Sequence, residues 1–269
     1  MSWYRLSIAD GVALLTLGRP ETHNSMTADF WRELPEIVRD IDGNAKARVL
    51  VLTAEGKHFS SGIDLAMLAG LDGMASPRLA GTIAGLQDSF TALADARMPV
   101  LAAIQGGCIG AGVDLIAACD CRYASAEAYF VIQEINLAMV ADCGTFPRLT
   151  RLMPDGMVRE LAFTCRRLGA AEALTLGLVN AVLPDAEALL SHVMEVAREI
   201  AAKSPRAVAG AKRILNFGQD HTTAETLAEI ARWQAGNLDP AEVKEALAAR
   251  GEKRPPRFAD LPKTRPSQR

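Results

Sequence analysis

The sequence predicts an α/β fold, and three observations predict it. Short β-branched and apolar runs alternate loosely with amphipathic stretches up to about residue 155, in a strand, strand, helix rhythm. Glycines break the longest apolar run into strand, loop and helix. Beyond about residue 155 the apolar periodicity is helical nearly throughout.

Taken in order, residues 12–17 alternate as a strand and end in the turn Gly18-Arg-Pro. Thr27 then caps an amphipathic helix with Phe30, Trp31, Leu34, Ile37 and Ile41 on one face, and Pro35 inside that pattern predicts a kink. Residues 49–53 form a β-branched run, read as a buried strand, followed by a loop carrying Gly56 and Gly62. The stretch 65–98 is helical in composition, 99–105 a strand, 112–118 a short helix, and 122–124 and 129–132 strands. Helical segments near 156–165, 170–176, 185–203, 205–216, 222–235 and 239–249 are separated by Gly169, Gly177, Pro184, Ser204-Pro205, Gly218 and Asp239-Pro240. We divide the 269 residues into a core over 1–200 and a C-terminal helical region with a basic, proline-rich tail over 201–269.

Composition excludes several classes of function. With 49% hydrophobic and 23% charged residues and a net charge of −3, the chain advertises neither nucleic acid nor an anionic membrane as partner. Residues 100–119 are apolar enough to resemble a membrane span, but Gln105, Asp114 and glycines 106, 107, 110 and 112 interrupt them, so no span is expected. Five cysteines without a CxxC pair, and no apolar leader after Met1-Ser-Trp-Tyr-Arg, predict reduced thiols in a cytoplasmic setting. The closing Pro-Ser-Gln-Arg is not a peroxisomal address. His23, His58, His192 and His221 are scattered, so no metal site is expected.

Chemistry is suggested by charge in apolar surroundings. Asp114 is the only ionisable acid or base between Met98 and Ala118, and Glu134 the only one between Ala128 and Ala141, with Asp142 next. From Met98 through Pro147 the one lysine or arginine is Arg122. Burial and mutual repulsion would raise the proton affinity of such acids and suit them to proton transfer at neutral pH. Structural roles are the alternative: Asp114 favouring a helix N-terminus, Glu134 paired with Arg122, Asp142 capping the segment 144–152. Two glycine loops, Ile109-Gly-Ala-Gly-Val-Asp and Phe59-Ser-Ser-Gly-Ile-Asp, offer backbone N–H groups that could grip one carbonyl oxygen, or are simple tight turns. Rival motifs are missing: no Gly-x-Gly-x-x-Gly, no Walker lysine and no Gly-x-Ser-x-Gly elbow. Cys143 is a weak candidate nucleophile, since no histidine lies near it in sequence.

These residues resemble the crotonase (enoyl-CoA hydratase/isomerase) superfamily. Phe59-Ser-Ser-Gly-Ile-Asp-Leu resembles its first oxyanion-hole motif and the stretch from Gly106 to Asp120 its second. The likeness extends from Leu17-Gly-Arg-Pro and Asn24-Ser-Met to Gly177-Leu-Val-Asn-Ala-Val and Lys203-Ser-Pro, nearly the whole chain. It implies a crotonase-like spiral of ββα units with a C-terminal helical region that builds homotrimers or homohexamers. It also implies an acyl-CoA substrate, no cofactor beyond the coenzyme A of that substrate, and an oxyanion hole formed by the N–H groups of Ser60 and Ala111. Ser60, Ser61, Gly62, Ile63, Asp64 and Ala111 would contact the substrate. Hydratases of this superfamily carry glutamate at the positions of Asp114 and Glu134 and glycine at that of Asp142. The set Asp114, Glu134, Asp142 resembles instead the Δ3,5-Δ2,4-dienoyl-CoA isomerases. That resemblance implies Glu134 and Asp142 as proton-transfer groups tuned by Asp114, acting on fatty-acid intermediates of β-oxidation. Water addition to an enoyl-CoA, another crotonase reaction, or non-catalytic CoA or RNA binding are the alternatives.

Overall fold

The computed structural model describes residues 2–71 and 76–264. Residues 72–75 of the expected helical stretch and 265–269 of the basic tail therefore lie outside the described residues.

Strands β1 (Tyr4–Ala9) and β2 (Val12–Leu17) form a hairpin and lead into helix α1 (Ala28–Gly43). Strand β3 (Val49–Ala54) precedes α2 (Ser76–Asp95), then β4 (Val100–Ile104), β5 (Gly107–Ile109) and α3 (Ala111–Ala117). Next come β6 (Cys121–Ser125), β7 (Tyr129–Val131), α4 (Thr145–Leu149), α5 (Asp155–Thr164), β8 (Leu168–Gly169), α6 (Ala170–Leu176) and β9 (Ala181–Leu183). Helices α7 (Ala186–Ala201), α8 (Pro205–Gly218), α9 (Thr223–Asn237) and α10 (Pro240–Gly251) complete the chain. Successive strands go to different sheets. β1, β2, β3, β4, β6 and β9 lie side by side in one sheet, parallel apart from the β1–β2 hairpin. β5, β7 and β8 form a second, smaller sheet. This is the expected winding of strand, strand, helix units. The apolar run at 100–119 resolves into β4, β5 and α3, and among the described residues no helix is long and apolar enough to cross a membrane.

The large sheet is buried on both faces, so its central strands are continuously apolar rather than alternating. Leu50, Leu52, Val100, Ala102 and Ile104 face the core that holds Phe30, Trp31, Leu34 and Phe90. Val49, Val51, Leu101 and Ala103 face the other way, against Leu189, Val193, Ala197 and Ala201 of α7. β1 escapes sequence reading because none of its residues is buried.

Helix α1 begins after Thr27 as expected, although the threonine side chain makes no capping bond. Pro35 lies within the helix and cannot donate to the Trp31 carbonyl. The Ser89 hydroxyl donates to that carbonyl instead, at 2.8 Å, which lets a buried proline sit mid-helix. The C-terminal helices are tied to the sheet by buried Lys212 of α8. Its Nζ donates to the carbonyls of Leu93 and Met98 (both 3.1 Å) and to Asp120 Oδ2 (2.8 Å), whose carboxylate also accepts from the Val100 N–H.

Candidate active site

Two loops meet where the sheets adjoin. The first follows β3 and is stitched down by its own polar groups. Buried Asn24 donates from Nδ2 to the carbonyls of Glu55 and His58, both at 2.9 Å. The Ser60 hydroxyl donates to the Asn24 carbonyl at 2.9 Å. The Ser60 N–H donates to Gly107 O at 3.1 Å, and Ile109 N–H returns a bond to Ser60 O at 3.0 Å. These bonds join the loop to β5.

Ser60 is therefore not the free donor that the motif match implies. Its N–H is already engaged by Gly107 and the residue is fully buried. Ser61 is also committed, its N–H to His23 O (2.8 Å) and its hydroxyl to Thr22 O (3.3 Å). Gly62 N–H donates to Ser60 Oγ at 3.1 Å. Asp64 accepts from Ala66 N–H (3.1 Å) and Ser25 Oγ (3.1 Å) and lies beside Arg19 (3.5 Å). The Ala66 N–H first, then the Ser25 and Arg19 bonds, hold its carboxyl below the usual range. Asp64 thus anchors the loop. From residue 60 to residue 64, Ile63 alone has a backbone N–H without a partner among the described residues.

The second loop enters α3. Gly110, at φ +53°, donates its N–H to Val131 O, and the next N–H, that of Ala111, opens the helix without a capping bond. Gly62 faces it. At φ +87° Gly62 adopts a conformation that disfavours side chains, and a methyl group on it would stand 3.1 Å from Ala111 N and 2.7 Å from Ile109 O. The missing side chain leaves open the space in front of the Ala111 N–H, one residue from the Ile63 N–H. Two unpaired donors from separate loops suit an oxygen that gains negative charge.

The three acids line up by depth. Asp114 of α3 is 2% exposed, Glu134 is half-buried at the start of a 3₁₀ turn, and Asp142 is exposed just ahead of α4. Glu134 Oε1 abuts the second loop, 3.2 Å from where a methyl on Gly110 would lie, and Glu134 Oε2 is buried without a hydrogen-bond partner. Burial, and then the charge of Asp142, push the Glu134 carboxyl up, against backbone N–H bonds that lower it. Asp114 is raised to about 7, chiefly by burial. A hydrogen bond from Thr145 opposes that rise, while the charges of Glu134 and Asp142 add to it. The Asp142 carboxylate accepts from the Cys143 thiol at 3.4 Å, and its backbone carbonyl accepts from Gln87 at 2.7 Å.

The structural alternatives fail for Glu134 and Asp142, while Asp114 does lie near a helix N-terminus. Arg122 donates to the carbonyls of Leu178 (2.7 Å) and Cys119 (2.6 Å), not to Glu134. Gly144, not Asp142, caps α4. Asp114 occupies the first turn of α3 and is in addition buried and bonded to Thr145. Cys143 is no nucleophile in this setting, because burial and then the neighbouring carboxylates push its thiol far up. Arg148 was not singled out by sequence, since it lies just past the apolar window. Its guanidinium donates to Cys143 O (3.0 Å) and Thr91 Oγ1 (3.4 Å) and feels the charge of Asp114.

A buried acid of raised proton affinity makes stability depend on pH. Between the ordinary aspartate pKa near 4 and about 7, the unfolded chain has released a proton that folded Asp114 still holds, so stability falls as pH rises through this window. Asp114→Asn is expected to remove that slope. In denaturant titrations the variant should gain on wild type between about pH 4 and about pH 8, with a ceiling of roughly 4 kcal/mol. An equal pH slope in both proteins would show that Asp114 ionises as it does in water.

A family model described as enoyl-CoA hydratase/isomerase matches residues 7–262 of the chain. The peroxisomal Δ(3,5)-Δ(2,4)-dienoyl-CoA isomerase of Arabidopsis thaliana is 40% identical over 256 residues, covering 92% of each chain. The mitochondrial enzyme of the same name from Rattus norvegicus is 39% identical over 248 residues, 88% of this chain and 76% of that one. Among solved structures, an enoyl-CoA hydratase from Bacillus anthracis superposes with a TM-score of 0.88 at 31% identity, over 96% of this chain and 99% of that one. An enoyl-CoA hydratase from Polaromonas sp. JS666 has a TM-score of 0.88 at 29% identity, over 95% and 99%. The peroxisomal and mitochondrial relatives overturn the expected cytoplasmic location. The inference from cysteines failed because unpaired thiols report a reducing environment, not which compartment supplies it.

Proposed function

The chain belongs to the enoyl-CoA hydratase/isomerase family, and on that premise we propose that it isomerises 3,5-dienoyl-CoA to 2,4-dienoyl-CoA, a step of fatty-acid metabolism. The observation that carries this reading is the second proton-transfer acid, Asp142, whose charge is felt by both Glu134 and Asp114.

Glu134 takes a proton from C2 of the thioester. Its orphaned, buried carboxylate oxygen and raised proton affinity suit a general base. The electron pair delocalises through the diene onto the thioester oxygen, which the N–H groups of Ile63 and Ala111 receive. Asp142 delivers a proton at C6, which shifts both double bonds into conjugation with the thioester. The two carbons lie at opposite ends of the conjugated system, so two separate acids serve better than one. Asp114, deepest of the three, lies within the charge field of the other two acids and responds to their ionisation. Ile63 replaces Ser60 as the first donor because its N–H is unpaired. Assembly as a homotrimer or homohexamer is part of the proposal, and Leu215, Leu227 and Leu247, 60–71% exposed on α8 to α10, offer apolar surface for it.

Asp142→Gly is the test. We expect dienoyl isomerisation to fall by ~10²–10⁴ while the thioester still binds. Isomerisation at the wild-type rate would remove Asp142 from the mechanism and favour a different reaction of the family.

A further inference from the structure

Nothing in the pairing of Glu134 with Asp142 explains how Asp114 is held. Its carboxylate is 2% exposed and faces no lysine or arginine within ion-pair distance among the described residues. What it meets is Thr145, itself 1% exposed, whose hydroxyl donates to Asp114 Oδ1. Thr145 is the first residue of α4, where a helical N–H lacks a partner within the helix. Three residues earlier on the same segment stands Asp142, and Gly144 between them, at φ +108°, makes the turn that aims Thr145 inward.

We propose that Thr145 is a positioning residue, its hydroxyl holding Oδ1 of Asp114 and so fixing how that acid faces Glu134 and Asp142. The proposal rests on the reading of the three acids as a proton-transfer cluster, but its test does not. A hydrogen bond given to a carboxylate favours the charged form, so the clamp opposes the burial that drives Asp114 toward its neutral form. Without the hydroxyl, Asp114 would hold its proton to higher pH. Its charge would then weigh less on Glu134, and the segment carrying Asp142 would lose a tie to α3. Arg148, Cys108, Cys143, Glu134 and Asp142 are the titratable or charged groups facing this spot, and none is altered by a change at 145.

The experiment follows the carboxyl carbon of Asp114 by NMR in protein labelled with carboxyl-¹³C aspartate, the signal being assigned by its loss in Asp114→Asn. Thr145→Val, nearly isosteric, is expected to move the titration midpoint up by about one pH unit. Thr145→Ser is expected to restore it. Thr145→Ala makes the same prediction as Thr145→Val and replaces it if the valine variant does not fold. An unchanged midpoint in the valine or alanine variant overturns the proposal, as does a serine variant that titrates like valine. The pH profile of kcat/KM for 3,5-octadienoyl-CoA gives a second reading, with a limb displaced in Thr145→Val and restored in Thr145→Ser. Wild-type protein that does not isomerise this substrate would refute the functional reading, while the NMR midpoints would still decide the clamp.

Discussion

Glu134→Gln is expected to lower kcat for dienoyl isomerisation by ~10²–10⁴ and to leave KM within a few-fold of wild type. Glutamine keeps the shape of the side chain but cannot accept the C2 proton. The carboxylate it replaces has one buried oxygen with no protein partner, so no hydrogen bond to that oxygen is lost. The fold is expected to persist, because Glu134 makes no ion pair within 4.0 Å among the described residues. Single-turnover measurements separate this from a binding defect. A variant with undiminished kcat would show that another group takes the proton.

Gly62→Ala tests the cradle rather than the acids, and its expected effect is of similar size. A methyl at this position meets Ile109 O at 2.7 Å and Ala111 N at 3.1 Å, both backbone atoms that cannot swing aside. It also demands φ near +87°, which alanine resists. Either the methyl covers the Ala111 N–H or the loop shifts and misplaces the Ile63 N–H. Loss of one such donor typically costs ~10²–10³ in rate, and the expected fall in kcat/KM is at least that. Gly81→Ala on the exposed side of α2 is the control, since a methyl there has nothing within 4 Å. A Gly62→Ala enzyme of normal activity would move the oxyanion site elsewhere in the fold.

Much of this was legible in the sequence because it lies in local pattern. β3 reads as a buried strand from its unbroken apolar run, and the helix after Thr27 from its apolar face. The three acids stood out because few charges surround them in sequence, and the fold brings them together as one electrostatic cluster. What escaped depends on partners distant in the chain. The motif alone does not say which N–H of the first loop is free. That is decided by Gly107, forty-seven positions after Ser60, accepting the serine's N–H. Likewise the donor that replaces the bond Pro35 cannot make is Ser89, on another helix and out of reach of local pattern. β1 carries no buried face, and β5 and β8 of the small sheet are three and two residues long, too short for periodicity to register, whereas β7 shows as an apolar run.

The central claim is that two acids move a proton between the ends of a conjugated thioester. It is tested most directly by offering the protein 3,5-octadienoyl-CoA and crotonyl-CoA in parallel and following ultraviolet absorbance. The account predicts a rise with the dienoyl substrate, as its double bonds come into conjugation with the thioester, and little change with crotonyl-CoA. Rapid loss of the crotonyl-CoA signal by hydration, with the dienoyl substrate untouched, would contradict it.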